Sequence, residues 1–530
     1  MVIVSFLRRP VRMWRAWHAV CTESARRANG WLSKTGRVRL MPTGYDDHAE
    51  AGDLLELGDA LLESIADRDL VDGAAWKSWR CAVEAAAGGT DIAGAAPNFD
   101  MYAAELRELW LRCAHLCSDP HLRSPRLSGP PVVLPSGRRL GYSYERNVQA
   151  TALEQRLVCD AVTPPGWCSD HVVYANGMAA IANVLQVCRN VLRSTSDDPL
   201  RLGMWGAYFE TTVLVELLRS PAFRARSYGA QDELRCAVAD GAVDILFLEA
   251  VRYDWDLETL DLPALLRAWR GVPSGGPNIL VIDTTLVATA WPTRELLAAL
   301  APSPPALVIE LRSGLKLDQQ GLELGNVGVV SIHTIRSATV SASEMAALLR
   351  KMRTITGSGL ATDTIAALDA PFALSREWTQ RYASRVFLNN AVMAGVLAPR
   401  KGLFARIAHP SLDGVELPWA QAPFVVCHLA EDSLENHGLL LAVVEFEAER
   451  RHLDLVRGSS FGFRGHRFES IIPKLSEHRG LFKIAMGFRA DAERDRVVAL
   501  FAELAEYVDF AVLRAAYPDV IPVDLTNLEP

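Results

Sequence analysis

Three patterns of apolar and polar positions follow one another along the chain. Up to about residue 120 the apolar residues recur at helical spacing. Leu54, Leu57, Leu61 and Ile65 form one stripe, and Leu106, Leu109, Cys113 and Leu116 form another. Spacings of three and four put such residues on one helix face, which predicts packed amphipathic helices. Pro120, Pro125, Pro130, Pro131 and Pro135, with Gly129 and Gly137, then make a breaker-rich connection over about 118–141. Beyond it, short apolar runs alternate with helical stretches. HVVYANG, LRLGMWG, VDILFLEA, NILVIDT, ALVIELR and NVGVVSI read as strands, and AAIANVLQVCRNVL and LPALLRAWRG as helices between them. Unbroken apolar strands separated by helices predict an α/β fold: a mostly parallel central sheet sandwiched by helices. From about residue 385 the pattern becomes an α+β mixture, with strands expected at PFVVCHLA, LLLAVVEFE and LFKIAMGF. The expected division is 1–140 as an N-terminal helical extension with its Pro-rich connection, 141–385 as a large α/β domain, and 386–530 as a smaller α+β domain. No internal repeat and no low-complexity tract interrupts this order.

Composition narrows the partners. The chain has 530 residues, half of them hydrophobic, which is enough for a large core and more than one domain. The formal net charge is −8 and no block of Lys or Arg is long enough to track phosphates, so nucleic acid is not an expected partner. Nine scattered cysteines without framework spacing predict a reducing, cytoplasmic setting. Arg8, Arg9 and Arg12 are followed by no apolar segment, so neither a signal peptide nor a membrane span is expected.

Two of the strand-like runs end in isolated ionisable residues: Asp283 in NILVIDTTL, and Lys316 in PPALVIELRSGLK. An aspartate at a strand end is often a helix cap, and a lysine after a strand is usually solvated. Together they make the pair that a buried pyridoxal phosphate site needs. The amine carries the cofactor as a Schiff base, and the acid keeps the pyridine nitrogen protonated so that the ring accepts electrons. Asn176, Gly177 and Met178 follow a strand and open a helix, where backbone N–H groups and the helix dipole hold a phosphate. Ser313, three residues before the lysine, adds a hydroxyl to the same phosphate.

In order, the segment supplies YSYERN (Tyr142–Asn147), YANGMAAI, GMWGAYF with Trp205, FLEAVRYD with Glu249, VIDTTL with Asp283 and Thr285, and RSGLK with Lys316. RVFLNNAVMAGVL, GSSFGF with Ser460 and LFKIAMGF with Lys483 come later. This series resembles the Cys/Met-metabolism family of fold-type-I pyridoxal phosphate enzymes, which includes cystathionine γ-synthase, cystathionine β-lyase and methionine γ-lyase. The resemblance runs from about 140 to 515. It implies pyridoxal 5′-phosphate as cofactor, an amino-acid substrate with a second, nucleophilic substrate, and a homodimer or homotetramer. Tyr142 matches a tyrosine that in the family reaches a neighbouring subunit's phosphate. Trp205 falls where the family stacks a tyrosine on the ring, and Lys316 would carry the cofactor and shuttle the Cα proton. Asp283, Thr285, Asn176, Gly177, Met178, Ser313, Tyr142 and Arg146 would bind the cofactor; Lys483, Ser460, Tyr144 and Glu249 would bind substrate.

The departures from the family define the expected chemistry. Tyr144 replaces an arginine, with Arg146 as a substitute charge; Leu315 replaces a threonine; Lys483 replaces the arginine that grips the substrate carboxylate, turning a bidentate fork into a point charge. An indole at 205 donates but does not titrate near neutrality. That favours a γ-substituent that departs without protonation, S-adenosylmethionine being one candidate substrate. The expected reaction is γ-elimination or γ-substitution by way of quinonoid and vinylglycine-type intermediates, in specialised metabolism. A C–S lyase, an aminotransferase and a non-catalytic scaffold with the same fold are the alternatives. Ser313–Lys316 also matches S-x-x-K, the nucleophile motif of penicillin-recognising enzymes, but KTG at Lys34–Gly36 precedes it and no SDN occurs. Cys113, His115, Cys117 and His121 offer metal-ligand types, yet cysteines on one face of an amphipathic helix are usually small core residues, and no metal is expected.

Overall fold

The computed structural model describes residues 47–87, 99–118, 132–142, 147–193, 198–272, 276–414, 417–474, 479–489 and 492–526. Its centre is a seven-stranded sheet. The strands are β1 (Trp167–Tyr174), β2 (Leu200–Trp205), β3 (Phe223–Ser227), β4 (Ile245–Glu249), β5 (Ile279–Asp283), β6 (Leu307–Ser313) and β7 (Gly328–Ile335), in spatial order β1-β7-β6-β5-β4-β2-β3. Neighbours from β3 through β6 pair in parallel, while β7 runs against both β6 and β1. All six strands expected in this segment are present. β3 carries no such signal: of FRARS only Phe223 is buried, because an edge strand needs only one anchored side chain.

The three central strands are apolar without alternation because both of their faces are covered. Helices Gly177–Arg193 and Ala342–Thr356 cover one face, where Ile181, Val184, Val281 and Ile309 meet. The helices Gln231–Ala239, Leu262–Arg270 and Thr293–Leu300 cover the other, where Leu234, Leu265, Leu280 and Leu297 meet. Each such aliphatic side chain contributes roughly 1.5–3 kcal/mol when withdrawn from water. We label the helices that bear on the argument α1 (Asp47–Ser64), α2 (Gly73–Ala86), α3 (Phe99–Ser118), α4 (Gly177–Arg193), α5 (Phe209–Leu218) and α6 (Arg376–Leu397).

The expected N-terminal helices are α1, α2 and α3, and their stripes are buried with Leu54, Leu57, Leu61 and Leu106 fully covered, except that Leu116, at the end of the second stripe, is exposed. The indole of Trp79 donates to the Tyr102 carbonyl at 2.9 Å, and that of Trp110 to Ala367 at 2.7 Å, so these helices pack onto the main body of the molecule. Cys113 Sγ donates to the Leu70 carbonyl, and His121 lies outside the described residues.

A second sheet of five strands follows: β8 (Phe404–Ala408), β9 (Val425–Leu429), β10 (Leu455–Arg457), β11 (His466–Lys474) and β12 (Arg479–Ala485), in spatial order β8-β9-β12-β11-β10. One expected strand is not there. LLLAVVEFE lies within a helix, Leu434–Arg450, capped by Ser433, whose Oγ accepts the Asn436 N–H. Its run from His437 to Val444 is buried all round, and a continuous apolar run cannot distinguish a buried helix from a buried strand.

Candidate active site

Strand ends set the site. In parallel sheets the carboxyl ends of the strands open onto the crevice that takes ligands. Here β4 ends in Glu249, β5 in Asp283 directly beside it in register, and β6 in Ser313, from which a tight turn leads to Lys316. α4 starts at Gly177 against the same edge: a Cβ on Gly177 would lie 3.4 Å from that of Ser313. Asn176 caps this helix, its Oδ1 accepting the Ala179 N–H at 2.8 Å. The first-turn N–H groups at Gly177 and Met178 therefore face the end of β6, with the Thr211 hydroxyl close to Met178.

Thr285 ties the two strand ends together. Its N–H donates to Asp283 Oδ1 at 2.8 Å, and its Oγ1 accepts the Ser313 N–H at 3.0 Å. Burial raises the Asp283 pKa, opposed by Thr285 hydrogen bonds and, among the described residues, by no cation. Lys316 is half-buried. Its Nζ donates to Ser460 Oγ at 2.5 Å and stands 5.4 Å from the centre of the Phe461 ring. Burial lowers its pKa, and Arg467 lowers it further.

Lys483 is fully buried near the middle of β12, and its Nζ donates to the Ser459 carbonyl and, at 3.3 Å, to the Tyr253 hydroxyl. The rings of Phe424, Tyr253 and Phe461 lie 5.2, 5.8 and 5.9 Å from that ammonium. Burial, and then the nearby Lys316, bring its pKa down to about 7. The two lysines therefore share Phe461 and the Ser459–Ser460 turn.

Two placements differ from the sequence reading. Trp205 does not reach the site. It is fully buried in an apolar cluster with Leu246, Leu248 and Tyr228, and its indole N–H has no hydrogen-bond partner among the described residues. Strand residues alternate faces, so Met204 and Trp205 go to opposite cores, and the first aromatic free to enter the site lies past the strand end. That residue is Tyr208, within GMWGAYF. Asp283 acts on its phenol, its hydroxyl donates to Glu210 at 3.0 Å, and its ring packs edge-on against Tyr253 at 5.5 Å. Glu249 does not face a substrate. Its Oε1 accepts the N–H groups of Ala207 at 3.0 Å and Tyr208 at 2.9 Å, and its Oε2 accepts that of Tyr253 at 2.7 Å. It fixes the loop that presents Tyr208, and burial pushes its pKa up to about 7. A Cβ on Gly206 would lie 2.7 Å from Oε1, so a larger residue there would displace the carboxylate.

Tyr144 and Arg146 lie outside the described residues, as does the side chain of Tyr142, whose backbone pairs with Val148. The remaining candidates converge: Asn176, Gly177, Met178, Asp283, Thr285, Ser313, Lys316, Ser460 and Lys483. Tyr208, Tyr253, Phe424 and Arg467 join them without having been singled out. The available signal for Tyr208 and Tyr253 was position, since each follows the end of a buried strand within four residues.

No protein-family model matches the chain, and no curated protein does. Solved structures do. Cystathionine γ-lyase from yeast is 14% identical, with 72% of this chain and 91% of that chain covered at a TM-score of 0.50. The metB protein of Corynebacterium glutamicum is 15% identical over 72% and 92% of the two chains at 0.49, and the methionine γ-lyase CalE6 of Micromonospora echinospora 18% identical over 74% and 98% at 0.48. The chain shares the fold of the yeast enzyme, a mainly parallel sheet between helices with a second, smaller sheet.

Proposed function

We propose that this chain is a pyridoxal 5′-phosphate-dependent enzyme that removes or replaces a group at Cγ of an amino acid. One observation carries the reading: Lys316, an amine hydrogen-bonded to a serine, and Asp283, a carboxylate without a cation among the described residues, stand beside a capped helix N-terminus. Each is incomplete alone, and the cofactor completes them all. Residues 141–385 would bind it, and 386–530 would close the site with Ser460 and Lys483.

The residues fit that group. Asp283 would hold a proton on the pyridine nitrogen, with Thr285 fixing the carboxylate. The N–H groups of Gly177 and Met178, with the Ser313 hydroxyl, would hold the phosphate. Pyridoxal phosphate, when bound, supplies an aldehyde that condenses with amines and a ring that accepts electrons from bonds at Cα.

Lys316 Nζ would hold that aldehyde, yield it to the substrate amine, and then accept and return protons at Cα and Cβ. Its lowered pKa suits a base, and Ser460 Oγ aims it. Lys483 and Arg467 supply positive charge for the substrate carboxylate. Lys483 is held in place by Ser459 and Tyr253, and its pKa of about 7 makes carboxylate binding favour the charged amine.

Tyr208 changes the leaving-group argument. Burial and Glu210 keep its phenol protonated. With a phenol where an indole was expected, a thiolate leaving group finds its proton donor, and the preference for S-adenosylmethionine loses its support. Thioether amino acids become the first substrates to try.

The test is optical and covalent. The purified chain, given pyridoxal phosphate, should show a visible absorbance band, and borohydride should fix one cofactor mass on the peptide carrying Lys316. Lys316→Ala should lose both. No band, or the mass on another lysine, overturns the reading. Thioether and sulfonium amino acids offered in parallel, with products identified by mass, separate the leaving groups.

A further inference from the structure

The N-terminal helices reach the loop that holds Lys316 through buried charge. Arg464, three residues after Phe461, is 3% exposed. Its guanidinium lies 2.9 Å from Asp53 and 3.6 Å from Glu50, both on α1. Arg489, after β12, pairs with Glu50 at 3.6 Å, with Asp100 of α3 at 3.5 Å and with Asp454. The carboxylates that neutralise these two arginines thus come largely from helices outside both sheets.

Rigid contacts link Arg464 to the reacting amine. Its guanidinium lies 4.6 Å from the centre of the Phe488 ring, which stacks on Tyr382 at 4.7 Å, and the Tyr382 hydroxyl donates to the Gly462 carbonyl at 3.1 Å. Gly462, at φ +80°, passes so close to Lys316 that a Cβ would lie 2.5 Å from the Lys316 carbonyl oxygen. Gly321, at φ +70°, packs on Arg464 itself, where a Cβ would lie 2.6 Å from Cγ and 2.8 Å from the backbone nitrogen. The chain just after Lys316 and the loop bearing Ser460 are therefore pressed together at two glycines, with Arg464 at their junction.

We propose that α1 braces Ser460 against Lys316 through Arg464, which makes Asp53 and Glu50 positioning residues for the Lys316 amine. It rests on the function above only in taking Lys316 as the reacting amine. The hydrogen bond from Nζ to Ser460 Oγ favours the charged amine, so losing it lowers the amine's pKa. Asp53→Asn leaves Arg464 with one fewer carboxylate, lets the loop retreat, and acts on Lys316 as Ser460→Ala does.

The test reads Lys316 directly in the full-length chain. After hydroxylamine and dialysis, trinitrobenzenesulfonate labelling is followed across pH by mass spectrometry of the Lys316 peptide, with exposed Lys351 as internal standard. Ser460→Ala and Asp53→Asn should each shift the Lys316 profile down by about one pH unit, roughly tenfold in labelling rate at fixed pH. The double variant should shift no further, and Asp53→Glu should restore the parent profile. An unchanged profile in Asp53→Asn, or additive shifts in the double variant, overturns the brace. Where Asp53→Asn does not fold, Glu50→Gln takes its place in the same cycle. A parent chain with no cofactor band would sink the proposed function and leave this cycle to decide the brace.

Discussion

The ends of the large sheet and the seam behind the small one both bury charge, and they handle it in opposite ways. At the former, Lys316 faces a serine, Asp283 a threonine, Glu249 three backbone amides and Lys483, reaching in from β12, a carbonyl and a phenol. These partners are neutral, and burial shifts every one of these groups towards its neutral form. In the seam, Arg464 and Arg489 face Asp53, Glu50, Asp100 and Asp454; burial pulls the guanidinium pKa values down and the carboxylates outweigh it, while burial pushes Glu50 up and Asp454 up to about 8. Charges paired within the chain hold parts together. Charges left with neutral partners in a crevice invite a ligand.

Stability measurements can break that contrast. Arg464→Met should cost the most, about 3–5 kcal/mol by denaturant unfolding, because it strands buried carboxylates. The Glu249 effect comes next and depends on pH. Folding raises its carboxyl from 4.5 to about 7, so between those values the folded chain holds a proton that the unfolded chain has lost. Its contribution, up to about 3 kcal/mol, is therefore full below pH 4.5 and lost as pH rises through 7. Glu249→Gln should flatten that slope of stability against pH, and an unchanged slope would remove Glu249 as its source. Trp205→Phe should cost about 1–2 kcal/mol in packing and leave the cofactor band intact, since the indole N–H has no partner among the described residues to lose. The smallest effect expected is that of Lys316→Met in the cofactor-free chain, within about 1 kcal/mol of the parent. A loss as large as that of Arg464→Met would mean that the two regions are built alike.

The sheet was legible because its central strands are buried on both faces, and nothing but apolar runs serves there. β3 was not, because an edge strand is anchored by Phe223 alone. The helix Leu434–Arg450 was misread for the opposite reason, its unbroken apolar run carrying no period. Lys316 and Asp283 stood out as ionisable residues at the ends of apolar runs. Trp205 was misplaced by three residues, since motif order locates a strand end without saying which side chain beyond it turns inward. The charge seam was invisible: Glu50 and Asp53 are far in the chain from Asp100, and all three from Arg464 and Arg489, and each reads as a solvated surface residue.

The position of β12 has a consequence for biosynthesis. It follows the other described strands in the chain, yet it lies between β9 and β11 in the middle of the small sheet. Until residues 479–485 leave the ribosome, those two strands have no partner along the edges that will face each other across β12, and Lys483 is missing from the crevice. Open edges are templates for pairing with other chains. A nascent or truncated chain lacking this strand should therefore be the species that needs chaperones and aggregates, and a stop codon just ahead of Arg479 should cost soluble protein rather than activity alone.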